Sequence, residues 1–434
     1  MLSETQEQEK QIEEQDGKKM ERSPFYEKHK QELEHYLEEY RSWLLDDIVP
    51  FWEPRVVDKE CGGYLNCFDR KGNLTRDCKP GWFVGRGLYA FSLLYNKIEK
   101  RPEWLEIAEE GRRQFETPFY CGNGHFNQMM DRKGNVICGR TSLFTDFFAA
   151  KGLYEYITAS GKKEDVCLAE YLTEQIFRDA EDADVLYQLE HVEEGTKKHA
   201  VSFMSLIVAL ESTQIFRDRY LPLARKYADR ITDEFANDRY KALFESVKED
   251  GTPYLEGYGR IFDSGHSMES SWFVIRAAEE LKEKKYYERA CDIFDWVWDK
   301  TWDTENGGFF SHVDVERTVP EEAYLFEQYY QYPVYWDDKI WWTHAEAINA
   351  AISAALYGES EKNYQRFREI DKYIRSHFRD PDYGEWYSIL DRKGTVKAAD
   401  KGTELKGPYH VPRCMVQVIC LIERYLAGEL PCFM

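Results

Sequence analysis

The sequence predicts an all-α fold, an (α/α)6 barrel with short β-hairpins between helices. Three observations predict it: apolar residues recur at helical spacing along most of the chain, a turn motif repeats between helices, and six similar signatures open alternate helices. Six helical hairpins close into a toroid, and no break in composition divides the chain. One domain is therefore expected over residues 23–434, after a charged, flexible tail over residues 1–22.

Helical periodicity is clearest at 82–98, WFVGRGLYAFSLLYNKI, where apolar residues fall at i, i+3, i+4 and i+7. The same spacing recurs through the chain and predicts about twelve helices. They are expected over 31–45, 82–98, 103–115, 143–158, 165–179, 201–213, 219–235, 268–282, 286–300, 341–357, 361–378 and 411–426.

A recurring insert lies between helices, at 62–77, 124–139 and 384–399. Each copy holds Asp-Arg-Lys-Gly followed by Asn or Thr, a tight-turn signal between two short apolar runs. Residues 245–256 resemble a weaker fourth copy. Short β-hairpins are expected at these places.

Six polar and aromatic signatures open alternate helices, each about one helical hairpin after the last. They are WFVGRGLY near 86, GRTSLFTDFF near 140, KKHAVSFMSL near 200, GHSMESSWF near 266, KIWWTHAEA near 342 and YHVPRCM near 410. In the predicted barrel these six helices form the inner ring, and their N-terminal ends face one funnel.

The composition of the 434 residues favours a small-molecule partner. A formal net charge of −22 repels phosphate backbones and anionic lipids, so neither nucleic acid nor a membrane is an expected partner. No run of about 18 apolar residues predicts a membrane span, and the first residues lack the apolar core of a signal peptide. The ten cysteines form no CxxC pair, which favours free thiols and a cytoplasmic location.

The segment SGHSMESSW places His266, Glu269 and Trp272 roughly on one face of a helix. Gly265 marks the start of that helix, so His266 lies in the first turn, where the helix dipole disfavours an imidazolium. A neutral ring can accept a proton, and Glu269 is near enough to hold its other nitrogen. The alternative is a buried structural histidine capped by a carboxylate.

The segment KGPYHVPR places a second histidine, His410, at the start of the last apolar helix, since Pro412 suits a first helical turn. If the toroid closes, His266 and His410 lie on the fourth and sixth inner helices and can face each other. Two facing histidines suit a reaction in which one proton leaves one face of a carbon and another arrives on the opposite face.

The segment KIWWTHAEA supplies Trp341, Trp342 and Glu346. Indole faces suit stacking on a sugar, and Glu346 suits binding a hydroxyl or polarising a histidine. Packing between helices is the alternative for the two tryptophans.

Arg86 lies in an otherwise apolar helix, four residues after Trp82 and three before Tyr89. A buried arginine needs an anion or a dense set of hydrogen bonds, and a developing enolate oxygen would meet that need. Arg140 and Lys406 are similar but weaker cases.

Two further residues near the inner helix starts are His199 and Arg413. His199 opens the third inner helix and is a reserve candidate, whereas Arg413 is interpreted as an ordinary ion pair at a helix end. The other histidines show no metal-ligand spacing, and no nucleotide-binding, zinc-protease, nucleophile-elbow or dinucleotide motif occurs. Neither a metal nor a redox cofactor is expected.

Five ordered motifs resemble the N-acylglucosamine 2-epimerase family, from about residue 36 to 426: WFVGRGLY, SGHSMESSW, KIWWTHAEA, FRDPDYGEWYSILDRKGTV and KGPYHVPRCM. The resemblance implies an (α/α)6 barrel and the reversible inversion of N-acetylglucosamine at C2 to N-acetylmannosamine. In this family some members respond to ATP as an effector, so ATP as an effector is compatible with the resemblance, although no nucleotide motif is visible. Dimers are common in the family, so a homodimer is compatible with it too.

The family's residues carry over by position. Its catalytic arginine falls on Arg86, its two acid/base histidines on His266 and His410, and its motif glutamate on Glu346. Glu269 matches the glutamate that follows the first histidine. The residues expected to contact the sugar are Trp82, Tyr89, Arg140, His199, Glu269, Trp342 and Lys406.

The sequence departs from the family pattern in three places. Asp263-Ser264-Gly265 stands where Asn-Pro-Gly is commonest, and Thr343 follows the tryptophan pair where proline is usual. A tyrosine-rich insertion, near 322–338, precedes the tryptophans and would cap the funnel or reshape the pocket for the N-acyl group. These departures concern the substrate more than the chemistry.

The expected mechanism is a two-base proton transfer on the open-chain sugar. One histidine removes the C2 proton, Arg86 stabilises the enolate, and the other histidine protonates the opposite face. The alternative is an epimerase or aldose–ketose isomerase acting on mannose, cellobiose or a related sugar. A glycoside hydrolase on the same toroid would need two carboxylates across a bond, and a non-catalytic protein-binding role is the third alternative.

Overall fold

The helices of the computed structural model alternate between an inner ring and an outer layer. The structure describes residues 22–316, 319–320 and 333–433, so nearly all of the expected tail and most of the tyrosine-rich insertion lie outside the described residues. The helices run over Pro24–Trp43 (α1), Val49–Trp52 (α2), Gly81–Lys97 (α3), Pro102–Arg113 (α4), Leu143–Ser160 (α5), Val166–Asp179 (α6), Ala183–Glu190 (α7), His199–Asp229 (α8), Ser264–Leu281 (α9), Lys284–Thr301 (α10), Trp341–Tyr357 (α11), Glu361–Tyr373 (α12) and His410–Ala427 (α13).

The inner ring begins at the six signatures that the sequence analysis singled out. It consists of α3, α5, the first part of α8, α9, α11 and α13, and α13 packs back against α3 to close the ring. The outer layer consists of α1, α4, α6, the second part of α8, α10 and α12. The predicted (α/α)6 barrel is confirmed.

Burial separates the two layers. In α11 every residue except Trp342 is buried, which requires an apolar surface all round the helix. The outer helix α10 buries one stripe and exposes the other. Helix α8 belongs to both layers, because Phe216 breaks it with φ −126° and ψ 57°, between the two helices predicted at 201–213 and 219–235.

Short strands join the helices at the funnel. They are Cys67–Phe68 (β1), Leu74–Arg76 (β2), Lys79–Pro80 (β3), Tyr120–Gly122 (β4), His125–Phe126 (β5), Met129–Met130 (β6), Val136–Cys138 (β7), Thr196–Lys198 (β8), Ala236–Asn237 (β9), Ala242–Leu243 (β10), Ser246–Lys248 (β11), Ile261–Asp263 (β12), His312–Asp314 (β13), Lys339–Ile340 (β14), Ile389–Leu390 (β15) and Val396–Ala398 (β16). The three predicted hairpins are the antiparallel pairs β1–β2, β6–β7 and β15–β16. In the weaker fourth copy, β11 pairs with β8, and only Val247 and Pro253 bridge its own turn.

The repeated Asp-Arg-Lys-Gly motif builds the hairpin turn. In the first copy, the Asp69 carboxylate accepts hydrogen bonds from the backbone N–H groups of Lys71 and Asn73, both at 2.8 Å. Gly72 adopts φ +84°, a conformation that a side chain would strain.

The arginine of each motif connects neighbouring loops around the funnel, because each one forms an ion pair with an aspartate of another loop. The pairs are Arg70 with Asp380, Arg132 with Asp58, and Arg392 with Asp303. The repeat therefore fixes both the turns and the spacing of the loops that precede the inner helices.

One helical stretch among the described residues, His199–Phe235, is long and apolar enough to cross a membrane by length and composition, with a mean hydropathy of 1.3 in its most apolar window. The sequence predicts no run of about 18 apolar residues, so this stretch was not expected. Of that window, 83% is buried inside the barrel. Core helices of soluble proteins also meet this criterion, so the stretch is weak support for a span.

Candidate active site

Two histidines and a tryptophan meet where the inner helices begin. His410 is the first residue of α13, His266 the third of α9 and Trp342 the second of α11. The centroid of each imidazole lies 5.6 Å from the centroid of the Trp342 indole. The structure thus brings His266 and His410 to one indole, as expected from the closure of the toroid.

A buried carboxylate holds His266, and it is Glu245 rather than Glu269. The Nδ1 atom of His266 lies 3.0 Å from Glu245 Oε2. Asp263 caps α9 by accepting a hydrogen bond from the backbone N–H of His266 at 2.9 Å. Burial alone would lower the pKa of His266, but the charges of Glu245 and Asp263 outweigh burial and raise that pKa to about 9.

The expectation of a neutral His266 is therefore wrong, because two carboxylates outweigh the helix terminus. A helix dipole contributes about 0.3–1 kcal/mol near an exposed end, whereas an ion pair inside a protein is much less screened. At neutral pH, His266 is therefore an imidazolium.

Glu245 also holds the reserve candidate His199. Its Oε1 atom lies 3.3 Å from His199 Nδ1, and His199 Nε2 lies 2.8 Å from the Ser270 hydroxyl. Burial lowers the pKa of His199, so that ring is neutral. His199 is fully buried and supports the carboxylate that charges His266.

The surroundings of His410 lower its pKa, whereas those of His266 raise it. The Nδ1 atom of His410 lies 2.7 Å from Glu346 Oε1, so the structure brings Glu346 to a histidine. Burial and the nearby Arg86 and Arg413 guanidinium groups lower the pKa of His410 well below its ordinary value. His410 is therefore a neutral imidazole whose Nε2 atom is available as a base.

Arg413 connects the carboxylates below the histidines. Its Nη2 atom donates to Glu269 Oε1 at 2.7 Å and to Glu346 Oε1 at 2.5 Å, and its Nη1 atom donates to the Tyr409 hydroxyl at 3.0 Å. The Arg413 side chain is wholly buried. The interpretation of an ordinary helix-end ion pair is wrong, because both carboxylates belong to other inner helices and Arg413 points into the barrel.

Arg86 lies among aromatic rings near His410. Its guanidinium carbon is 4.1 Å from the centroid of Phe148 and 5.0 Å from that of Tyr409. Its Nη1 atom donates to the backbone carbonyl of Leu405 at 3.4 Å. The half-buried indole of Trp82 lies 5.2 Å from the same carbon, so this predicted sugar contact adjoins Arg86.

Besides His199 and Glu269, three more predicted sugar contacts have protein partners in the structure. The buried ring of Tyr89 packs edge-on against Tyr409, below the funnel. Arg140 forms ion pairs with Asp146 and Asp179. The buried amine of Lys406 donates to the backbone carbonyl of Trp386 and lies 3.6 Å from Glu385 Oε1.

Two groups of acidic and imidazole side chains among the described residues have the proximity of metal ligands. They are His125, Asp146 and Asp179, and Glu269, Glu346 and His410. In each group a guanidinium lies between the two carboxylates: Arg140 in the first and Arg413 in the second. Ion pairs with arginine therefore account for both groups.

Sequence reasoning missed the roles of Glu245 and Arg413, although both left a signal. Glu245 interrupts the apolar run Ala242–Phe244, and a buried acid in such a run requires a partner. Arg413 follows His410 at i+3, the spacing of His266 and Glu269, so each histidine shares a helix face with a charged residue.

Comparison with known proteins finds relatives that match most of the chain. Residues 63–414 match the family model described as N-acylglucosamine 2-epimerase. The human N-acylglucosamine 2-epimerase is 27% identical over 93% of this chain and 95% of its own. The cellobiose 2-epimerase of Dictyoglomus turgidum is 24% identical over 87% of this chain and 96% of its own.

Among solved structures, that of cellobiose 2-epimerase from Bacillus thermoamylovorans superimposes with a TM-score of 0.76 at 20% identity, and the match covers 89% of this chain and 99% of that one. This likeness concerns the fold alone. The family match, in contrast, spans all six inner helix starts, from Arg86 to His410. The chain is therefore an isomerase, and it belongs to the N-acylglucosamine 2-epimerase family.

Proposed function

We propose that the protein interconverts N-acetyl-D-glucosamine and N-acetyl-D-mannosamine by moving protons at C2 with two histidines. The observation that carries the proposal is the placement of two imidazoles beside one indole, one neutral and one positively charged. His410 is a neutral base held by Glu346, and His266 is a charged acid held by Glu245. Such a pair suits a reaction that removes a proton from one face of a carbon and adds another to the opposite face.

The proposed step acts on the open-chain aldehyde form of the sugar. His410 Nε2 takes the C2 proton, the electron pair of the C–H bond forms a C1=C2 double bond, and the π pair of the carbonyl moves to its oxygen, giving an enolate. Arg86 lies beside His410 and stabilises that oxygen. His266 Nε2–H then protonates C2 on the opposite face and the carbonyl reforms, so the histidine pair still holds one proton. The reverse reaction uses the two histidines in exchanged roles.

Proton NMR in D2O with N-acetylmannosamine tests this function. We expect N-acetylglucosamine that carries deuterium at C2, because the incoming proton comes from a histidine that exchanges with solvent. Deuterium at C1 of a ketose product would instead assign an aldose–ketose isomerase. Turnover of mannose or cellobiose, without turnover of N-acetylmannosamine, would keep the two-histidine mechanism and overturn the proposed substrate.

The pH dependence of kcat/KM follows from the same pair. The active pair holds one proton, and the pKa of His266 is about 9. For both the forward and the reverse epimerisation, kcat/KM should therefore fall above about pH 9. Glu245→Gln removes the charge that stabilises the imidazolium, so we expect the alkaline limb to move to lower pH. A pH–rate profile and an NMR titration of His266 measure this shift. An unchanged limb in Glu245→Gln would show that Glu245 does not set the charge of His266.

Gly265→Ala should misplace the indole between the histidines. A Cβ atom at this position would overlap the six-membered ring of Trp342. We expect kcat/KM to fall about ten- to a hundredfold, since small displacements in a catalytic site have effects of this size. Gly139→Ala is the matched control, because its Cβ would meet only Asn127 Oδ1, at 3.7 Å. Equal activity of the two variants would contradict the role given to Trp342.

A further inference from the structure

A wholly buried lysine lies beneath the site, and the mechanism above does not use it. Lys151 is in the inner helix α5, and none of its surface is exposed. Its Nζ atom donates to the Tyr409 hydroxyl at 2.9 Å. Burial lowers the pKa of Lys151 to about 7. Burying a lysine amine costs free energy unless its surroundings stabilise it.

Aromatic rings surround the amine. The Nζ atom lies 4.0 Å from the ring centroid of Tyr89, 5.2 Å from that of Tyr409 and 6.0 Å from that of Phe273. Ring faces at these distances attract a cation. Among the described residues, the Tyr409 hydroxyl is the hydrogen-bond partner of Lys151 within this ring of aromatic side chains.

Tyr409 connects this lysine to the reacting groups. Its hydroxyl oxygen accepts hydrogen bonds from both Lys151 and Arg413. One face of its ring lies 5.0 Å from the guanidinium carbon of Arg86, and its centroid is 5.0 Å from that of His410, the next residue in the chain. The orientation of one phenol ring therefore affects both the enolate-stabilising arginine and the base.

We propose that Lys151 is a positioning residue for the reaction, which acts through Tyr409 on Arg86 and His410. This inference rests on the proposed function, because it assigns Lys151 to the same proton transfer. Lys151 and Arg413 hold the Tyr409 hydroxyl from two inner helices, α5 and α13, and so fix the ring on which Arg86 rests. Lys151 touches neither the sugar nor the reacting atoms.

The lysine also affects the charge of His410. The groups that act on its amine from the surrounding helices are Glu211, Arg276, Glu269, Arg413, Tyr89 and Tyr409. Lys151 in turn is one of the cations that lower the pKa of His410, with Arg86 and Arg413, while Glu269 opposes them. Where His410 titrates, well below pH 6.5, Lys151 carries its charge, so loss of Lys151 should raise the pKa of His410.

The test compares Lys151→Met, Tyr409→Phe and the double variant with wild type. Methionine fills the aromatic cage without a charge, and phenylalanine removes only the hydroxyl. We expect each single variant to lose about ten- to a hundredfold in kcat with little change in KM. The double variant should lose no more kcat than the worse single variant, because both changes break the same hydrogen bond between Lys151 and the Tyr409 hydroxyl.

Tyr154→Phe is the matched control. Tyr154 lies on the same helix and is equally buried, but its hydroxyl contacts the Thr173 hydroxyl on the outer helix α6 at 3.0 Å. This variant should lose stability without loss of kcat. Wild-type kcat in Lys151→Met, or a double variant whose loss is the product of the single losses, would overturn the proposal.

An NMR titration of His410 separates this inference from the proposed function. Lys151→Met should raise the pKa of His410, and Tyr409→Phe, which keeps the charge, should raise it less. If the wild type turned over no sugar, the proposed function would fail, whereas an unchanged His410 pKa in Lys151→Met would overturn the coupling by itself. If Lys151→Met did not fold, wild-type kcat in Tyr409→Phe would still overturn the proposal.

Discussion

His266→Asn and His410→Asn should each lose epimerisation by about a hundred- to ten-thousandfold, the usual contribution of a positioned acid or base. Each variant retains one histidine, so each should still exchange the C2 proton of one epimer with D2O, and the two variants should exchange different epimers. Proton NMR of both sugars in D2O measures exchange and inversion separately.

The matched control for these variants is His35→Asn, whose side chain is 66% exposed on α1, far in sequence from the funnel motifs. It should epimerise at the wild-type rate. If His266→Asn exchanged both epimers, a single base would serve both faces, and the two-histidine mechanism would be wrong.

Arg413→Met should cause a large loss of stability. It leaves the carboxylates of Glu269 and Glu346 buried without the cation that joins them. Removing one partner of a buried ion pair costs about 3–5 kcal/mol, because the remaining charge stays out of water. Denaturant titration measures this as a fall in the free energy of unfolding.

Two comparisons test that explanation. Arg217→Met removes an ion pair with Glu280 in which the side chains are 48% and 33% exposed, so it should cost much less. Adding Glu269→Gln to Arg413→Met removes one of the two unpaired charges and should restore part of the stability. A loss in Arg413→Met no greater than that in Arg217→Met would show that the buried charges find other partners.

The sequence by itself determined the barrel and the positions of the inner helix starts that face the funnel. Helical spacing depends on residues within one helix, so the break at Phe216 was predicted between two helices and was found there. The repeated signatures marked the helices of the inner ring. These helices are apolar on all sides, as a helix enclosed by a second layer must be. His266, His410, Trp342 and Glu346 were therefore placed correctly at one funnel.

Only the tertiary structure decided the partners and charges of these residues. Glu245 reaches His266 from 21 residues away, and Arg413 reaches Glu269 from 144 residues away, through contacts that exist only when the ring closes. The charge of each imidazole depends on the sum of buried charges around it, which sequence spacing does not contain. Local patterns thus determine where a histidine lies, whereas long-range contacts decide whether its ring is charged or neutral.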